Sequence, residues 1–344
     1  MKTLITVLIA LLLSLWLTAC SGPSQKYHQD FYIFGTVMGV TLWADNDKQA
    51  QQAFASLQDR FQGMHVDWHA WNPGMLTRIN RGFSKGEAVE ANEEIIEMIR
   101  RSQQLETATD GRFNPSIGAL VGLWGFHTSE YPILGPPPAR EDIDRLLETS
   151  PSSLDIRIDG LNLQSDNPAV QLDFGGIAKG YAIDIACDML RSQGIENAIV
   201  NAGGDLRAIG SHGERPWKIA VRSPAGGIIG SLDTGEDEAI FTSGNYERFR
   251  QENEQRYPHI LDPRTGWPVT ELASVTVITS EGLVADAAAT AITVAGLLEW
   301  EELARTLGLD QVMLVDEAGK VYMTRRMGER IELLEGTEAE IAGF

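Results

Sequence analysis

The segment Leu172-Asp173-Phe174-Gly175-Gly176-Ile177-Ala178-Lys179-Gly180-Tyr181-Ala182 sets the architecture of this 344-residue chain. A short apolar strand ends at a carboxylate, the chain turns through two glycines, and a helix begins whose first turn carries a lysine. Glycines let backbone N–H and C=O groups come close to a ligand, and a helix N-terminus beside an ammonium favours a phosphate group. A Gly-Gly turn ahead of a helix is also ordinary punctuation between a strand and a helix, so both readings stand at this point. Downstream, Asn201-Ala202-Gly203-Gly204-Asp205 repeats the glycine pair beside a carboxylate.

Outward from that segment, strands and helices mix without a strict βαβ rhythm. Residues 31–44 alternate as a strand containing Gly35 and Gly39, and residues 48–64 and 93–107 have helical periodicity. A loop rich in proline and glycine, 131–138, leads into a short helix over 141–148. Strands are expected around 156–158 and 171–174, then a helix over 178–192 and a strand over 198–201. Residues 217–222 and 239–243 read as strands with a hairpin at 226–235 between them. A strand over 274–279, a helix over 284–298 and a hairpin over 311–324, turning at Glu317-Ala318-Gly319, complete the pattern. The arrangement predicts an α+β fold with mixed, mainly antiparallel sheets and packed helices rather than a doubly wound sheet.

The N-terminus sets the expected compartment. Lys2 precedes an apolar run over 4–17 that is too short for a permanent bilayer span and reads as a secretory signal. Its end, Leu17-Thr18-Ala19-Cys20, resembles the cleavage box of bacterial lipoproteins, in which the cysteine becomes the acylated first residue. The expected organisation is therefore a signal peptide over 1–19, a lipidated tether over 20–29 and one domain over 30–344. The product would be an exported lipoprotein, membrane-anchored on the periplasmic side. Several acyl chains, each methylene contributing about 0.8 kcal/mol when buried, make a stable anchor. With Cys20 acylated, Cys187 has no partner for an intramolecular disulfide, and stability must come from the core.

Twenty-eight basic against 48 acidic side chains give a net charge of −20. That balance argues against nucleic acid and against anionic headgroups as partners. A phosphorylated ligand then needs a local device, and two further stretches offer one. Asp286 and Thr290, in Ala285-Asp286-Ala287-Ala288-Ala289-Thr290, lie four apart on a helix and present a carboxylate and a hydroxyl to one point, as a hard cation requires. A capped helix with a polar edge would show the same spacing. His259, in His259-Ile260-Leu261-Asp262-Pro263-Arg264-Thr265-Gly266, precedes an Asp-Pro turn and is a candidate general base, although a lone histidine is as readily structural.

Together and in this order, the three stretches resemble the ApbE flavin transferase family, the FAD:protein FMN transferases. Gly35-Thr36-Val37-Met38-Gly39, the segment Trp71-Asn72-Pro73-Gly74-Met75-Leu76-Thr77-Arg78-Ile79-Asn80, Gly111-Arg112-Phe113-Asn114-Pro115-Ser116, Leu123-Trp124-Gly125-Phe126 and Ser243-Gly244-Asn245-Tyr246 extend the resemblance over residues 31–323. It implies a T-fold-related architecture with the active site between two lobes. Met38 would lie against the adenine of FAD and Trp71 would face the isoalloxazine. Arg112, Phe113, Asn114, Asp173, Lys179 and Ile260 would line the rest of the FAD site. The Gly176 carbonyl, the Asp286 carboxylate and the Thr290 hydroxyl would hold Mg²⁺, and His259 would be the catalytic base. The implied reaction moves FMN from FAD to a Thr or Ser hydroxyl of an exported redox-complex subunit and releases AMP. A Mg²⁺-dependent FAD pyrophosphatase and a non-catalytic FAD-binding lipoprotein are the alternatives. Val40, Gly74 and Asn114 depart from the residues commonest in the family at their positions.

Overall fold

The computed structural model describes residues 24–344, so Cys20 and the signal segment over 1–19 lie outside the described residues. Its frame is a nine-stranded sheet. In chain order the strands are β1 (Gln25–Ile33), β2 (Thr36–Ala44), β3 (Ala198–Ala202), β4 (Asp205–Ile209), β5 (Asp237–Gly244), β6 (Leu272–Thr279), β7 (Val312–Asp316), β8 (Val321–Met323) and β9 (Ala339–Ile341). They lie side by side in that same order. Every neighbouring pair is antiparallel except β8 and β9. Everything else is inserted between sheet strands, and those insertions build the site.

One face of the sheet is covered by helices. The longer ones are α1 (Asp47–Asp67), α2 (Met75–Phe83), α3 (Glu93–Ala108), α4 (Ala178–Ser192) and α5 (Gly282–Thr306). On α1 the side chain of Asn46 accepts from the Gln49 amide and starts the helix, while Ala50, Ala53, Leu57, Phe61 and Met64 form the buried stripe. α5 is apolar nearly all round because α4 covers one side and the sheet the other. Met38, Val40, Leu42 and Ala44, alternating along β2, point into this layer. The opposite face buries Leu206, Ala208, Ile240 and Met313 beneath a small sheet of Lys218–Arg222, Ile228–Asp233 and Glu332–Leu333. A second lobe packs Leu120, Trp124, Phe126, Ile143 and Leu261 around the short helices Gly118–Leu123 and Arg140–Leu147 and the strands Phe249–Glu252 and Gln255–Pro258.

Four sequence expectations change. The single strand expected over 31–44 is a hairpin, because Phe34 and Gly35, with φ of 51° and 70°, make a two-residue turn that sets Ile33 opposite Thr36. Since β1 starts at Gln25, residues 25–29 pair in the sheet and are not tether; only the part before Gln25 remains available for that role. Residues 171–174 form no strand but an extended run with one bridge, Ile117 to Gln171. The helix expected over 284–298 continues to Thr306 through a break at Gly296 (φ 66°), where the Leu297 amide donates to Glu271.

Candidate active site

The site begins where α4 and α5 start side by side. At Gly180 an added Cβ would stand 2.1 Å from the Gly282 carbonyl oxygen, so only glycine permits this approach. Each helix then caps the other. Asp184 on α4 accepts from the amides of Gly282 and Leu283 at 2.8 and 2.9 Å and from Arg207 Nη1 at 2.7 Å. Asp286 on α5 accepts from the Gly180 amide through Oδ2 at 3.0 Å, and its Oδ1 takes no hydrogen bond among the described residues. Burial raises the Asp286 carboxyl to about 6, opposed by the neighbouring Lys179 ammonium.

Thr290 follows one turn after Asp286 on the same face, with its hydroxyl donating to the Asp286 carbonyl at 3.2 Å. Gly176 abuts it: a Cβ there would stand 3.2 Å from Thr290 Oγ1. The structure thus brings together the three residues expected to hold a cation. Among the described residues no cluster of three or more His, Cys, Asp or Glu side chains could hold a metal ion. A cation here would rest on one carboxylate and neutral oxygens, a hard-oxygen set that suits Mg²⁺ and leaves positions for water and a substrate phosphate. The unpartnered Oδ1 of Asp286 fits that role.

Lys179, in the first turn of α4, pairs closely with Asp205, whose second oxygen accepts from the Thr242 amide at 2.9 Å. Burial works against the charge on Lys179, but Asp205 and Asp286 more than offset it and hold the ammonium well above the ordinary lysine range. The Gly203-Gly204 turn, with φ of 70° and 121°, places Asp205 at the start of β4. His259 is half-buried, and its Nδ1 is shut off from solvent with no hydrogen-bond partner. Burial, then the charges of Arg248 and Lys179, push the imidazole down to about 4, so it is neutral at physiological pH.

Asp286 and Thr290 beside Gly176, a lysine at a helix start and a neutral imidazole are the residues to which the sequence resemblance pointed, and the ApbE family model matches residues 34–313. The chain belongs to the ApbE family. It is 38% identical over 320 residues to the FAD:protein FMN transferase of Rhodobacter capsulatus, which covers 92% of this chain but only 60% of that relative's length. It is 28% identical to the FAD:protein FMN transferase of Vibrio cholerae, covering 92% of this chain and 96% of the relative. Among solved structures, the ApbE protein of Thermotoga maritima superposes with a TM-score of 0.80 at 30% identity, covering 89% and 99% of the two chains. The flavin transferase ApbE from Vibrio cholerae does so at 0.78 and 26% identity, covering 90% and 100%. The α+β architecture expected from the sequence is that of these ApbE structures.

The remaining positions to which the ApbE resemblance pointed divide into two groups. Trp71 is 41% exposed and lies with one face on the His127 ring (4.9 Å, 19°) and an edge contact to His69 (4.3 Å, 79°). Asp173 holds His127 Nε2 at 3.1 Å and the Gly175 amide at 2.8 Å, so both of its oxygens are engaged by the protein. Phe113 is buried with its ring beside Gly176.

The others are occupied elsewhere. The Arg112 guanidinium pairs with Glu299 at 2.8 and 3.1 Å. Met38 is fully buried opposite Ala202, one residue before the Gly203-Gly204 turn, and its side chain presents no surface to an adenine. Asn114 accepts from the Ser116 amide and donates to the Pro151 carbonyl, and with Glu106, Leu120 and Arg264 it borders a cavity of about 280 Å³. Ile260 is buried, its carbonyl accepting from the Val269 amide at 3.0 Å.

Sequence reasoning passed over Arg248, half-buried over the Tyr131 ring at 5.8 Å, whose carbonyl accepts from the His259 amide. It also passed over His127. The signal for Arg248 was a basic residue between two motif blocks of an acidic chain.

Proposed function

We propose that the chain transfers the FMN moiety of FAD to a serine or threonine hydroxyl of an acceptor protein and releases AMP. The observation that carries this reading is the meeting of Gly176, Asp286 and Thr290 with Lys179 at the start of α4, in the same site as a neutral, half-buried His259 with an unpaired ring nitrogen.

Phosphoryl transfer of this kind depends on positioning and on charge placed where charge develops. Lys179, Arg248 and the first amides of α4 supply positive potential to the pyrophosphate in a protein whose overall charge would repel it. His259 accepts the proton of the acceptor hydroxyl, whose oxygen bonds to the FMN phosphorus. The bond from that phosphorus to the bridging oxygen breaks, and AMP leaves with the electron pair. Gly176, Asp286 and Thr290 would hold Mg²⁺, which when bound supplies Lewis-acid neutralisation of the phosphate oxygens.

The lipoprotein-like N-terminal sequence supports an exported protein anchored through Cys20, whose acceptors would be exported subunits of redox complexes. The test is incubation with FAD, MgCl₂ and a candidate acceptor, followed by intact-protein mass and AMP quantification. The acceptor should gain one FMN per AMP released. AMP without a gain in acceptor mass would make the protein an FAD pyrophosphatase, and bound but intact FAD would make it a carrier.

A further inference from the structure

Trp71 is a large aromatic side chain left 41% exposed beside the site, with one indole face covered by a neighbouring ring. What holds it in place is His127. The imidazole covers one indole face at 4.9 Å, nearly parallel, while its Nε2 donates to Asp173 at 3.1 Å. The ring is itself well buried, with 16% of the side chain exposed, and Gly122 makes room for it, since a Cβ there would stand 3.0 Å from His127 Nδ1. His69 fixes the indole edge, and its Nδ1 accepts from the Asn72 amide at 3.1 Å, tying the backbone of the Trp71 loop to the same group. Asp173, whose other oxygen takes the Gly175 amide, therefore links the Gly175-Gly176 turn to the Trp71 platform through one histidine.

We propose that His127 is a positioning residue for the flavin: braced by Asp173, it backs Trp71 from behind so that the exposed indole face takes the isoalloxazine ring. This rests on the reading that FAD is the substrate. It differs from the alternative in which the flavin displaces the imidazole and slides between the two rings. In the first case His127 supports flavin binding, and in the second it competes with it. An aromatic stack that is fixed in advance adds to ring affinity without touching the phosphates.

The experiment is equilibrium binding of FMN, FAD and ADP to the wild type and to His127→Ala, His127→Phe, Trp71→Ala and the His127→Ala/Trp71→Ala double variant, read by quenching of flavin fluorescence and by calorimetry for ADP. His127→Ala should weaken FMN and FAD by roughly three- to tenfold, the worth of one aromatic stack, and leave ADP unchanged. The double variant should bind flavin no worse than Trp71→Ala alone, because His127 acts through the indole. His127→Phe should recover part of the loss. In turnover, His127→Ala should raise KM for FAD with kcat unchanged. Tighter flavin binding in His127→Ala, additive losses in the double variant, or an equal loss of ADP would each overturn the proposal. A wild type that binds ADP but neither FMN nor FAD would instead overturn the functional reading, and this inference with it.

Discussion

Asp184 and Asp286 sit at corresponding places on two helices that cap each other, and the fold uses them differently. Asp184 commits both oxygens to the start of α5 and to Arg207, which is itself clamped by Asp237. Asp286 commits one oxygen to the start of α4 and leaves the other bare, one turn before Thr290 and beside Lys179. A buried carboxylate with all its partners is a structural element. One left half-satisfied in a polar pocket holds its place against a desolvation cost that a ligand removes. The same geometry thus yields a brace at one helix start and a binding group at the other.

The largest effect should separate them on activity. Asp286→Ala removes the carboxylate assigned to the cation and should abolish Mg²⁺-dependent AMP release while the protein stays folded, losing only the cap on the Gly180 amide. Full turnover at unchanged Mg²⁺ would show that the bare oxygen has no such role.

His259 extends the comparison to a second group with an unpartnered atom, its buried Nδ1. His259→Ala should lower transfer roughly 10²- to 10⁴-fold with little change in FAD affinity. Its pH dependence follows from the depressed value of about 4 against 6.5 in the unfolded chain. At saturating Mg²⁺, kcat/KM should persist well below pH 6.5 and fall only as pH approaches 4. Between those values the unfolded chain binds a proton that the folded chain refuses, so His259's contribution to stability is complete above pH 6.5 and is lost as pH falls toward 4. A rate profile breaking near 6.5 would mean that the imidazole is hydrated in the working enzyme.

Asp184→Ala tests the brace. It orphans two buried amides and leaves Arg207 with Asp237 alone, so the expected loss is about 3 kcal/mol, or on the order of 5–10 °C in Tm. Turnover per folded molecule should be retained. A stable variant with lost activity would invert the roles assigned to the two carboxylates.

Much of this was legible in local sequence. The helix over 178–192 was read with the bounds it has in the structure, because a glycine turn, an apolar stripe and a small-residue start all agree there. Asp286 and Thr290 were paired by helical pitch alone. The hairpin at Phe34-Gly35 was missed because apolar alternation runs on through a two-residue turn. The trace it leaves is the switch of buried positions from odd numbers, Phe31 and Ile33, to even ones, Met38 to Ala44. The helix crossing was invisible for another reason: Gly180 meets Asp286 across 106 residues, and no local pattern encodes that distance. The Arg112 ion pair was invisible in the same way, since its partner Glu299 lies 187 residues away. His127 carried no motif, and its part follows only from the rings packed on it.

The smallest effect should come from Thr290. Its hydroxyl lies against Gly176, donates to the Asp286 carbonyl and approaches Ser243 Oγ at 3.5 Å. A neutral oxygen at a Mg²⁺ site can be replaced by water, because the ion keeps several waters in any case. Valine preserves the branched shape, and the freed Asp286 carbonyl remains bonded within the helix, so the fold should hold. Thr290→Val should therefore raise the Mg²⁺ concentration needed for half-maximal AMP release by roughly tenfold, in the range seen for weakened metal ligation, and leave the rate at saturating Mg²⁺ within a few-fold of wild type. Measured as a Mg²⁺ titration beside Asp286→Ala, it distinguishes a replaceable ligand from an irreplaceable one. If Thr290→Val were as inactive as Asp286→Ala at every Mg²⁺ concentration, the hydroxyl would be contacting the reacting phosphate itself, and the contrast between the charged and the neutral ligand would fail.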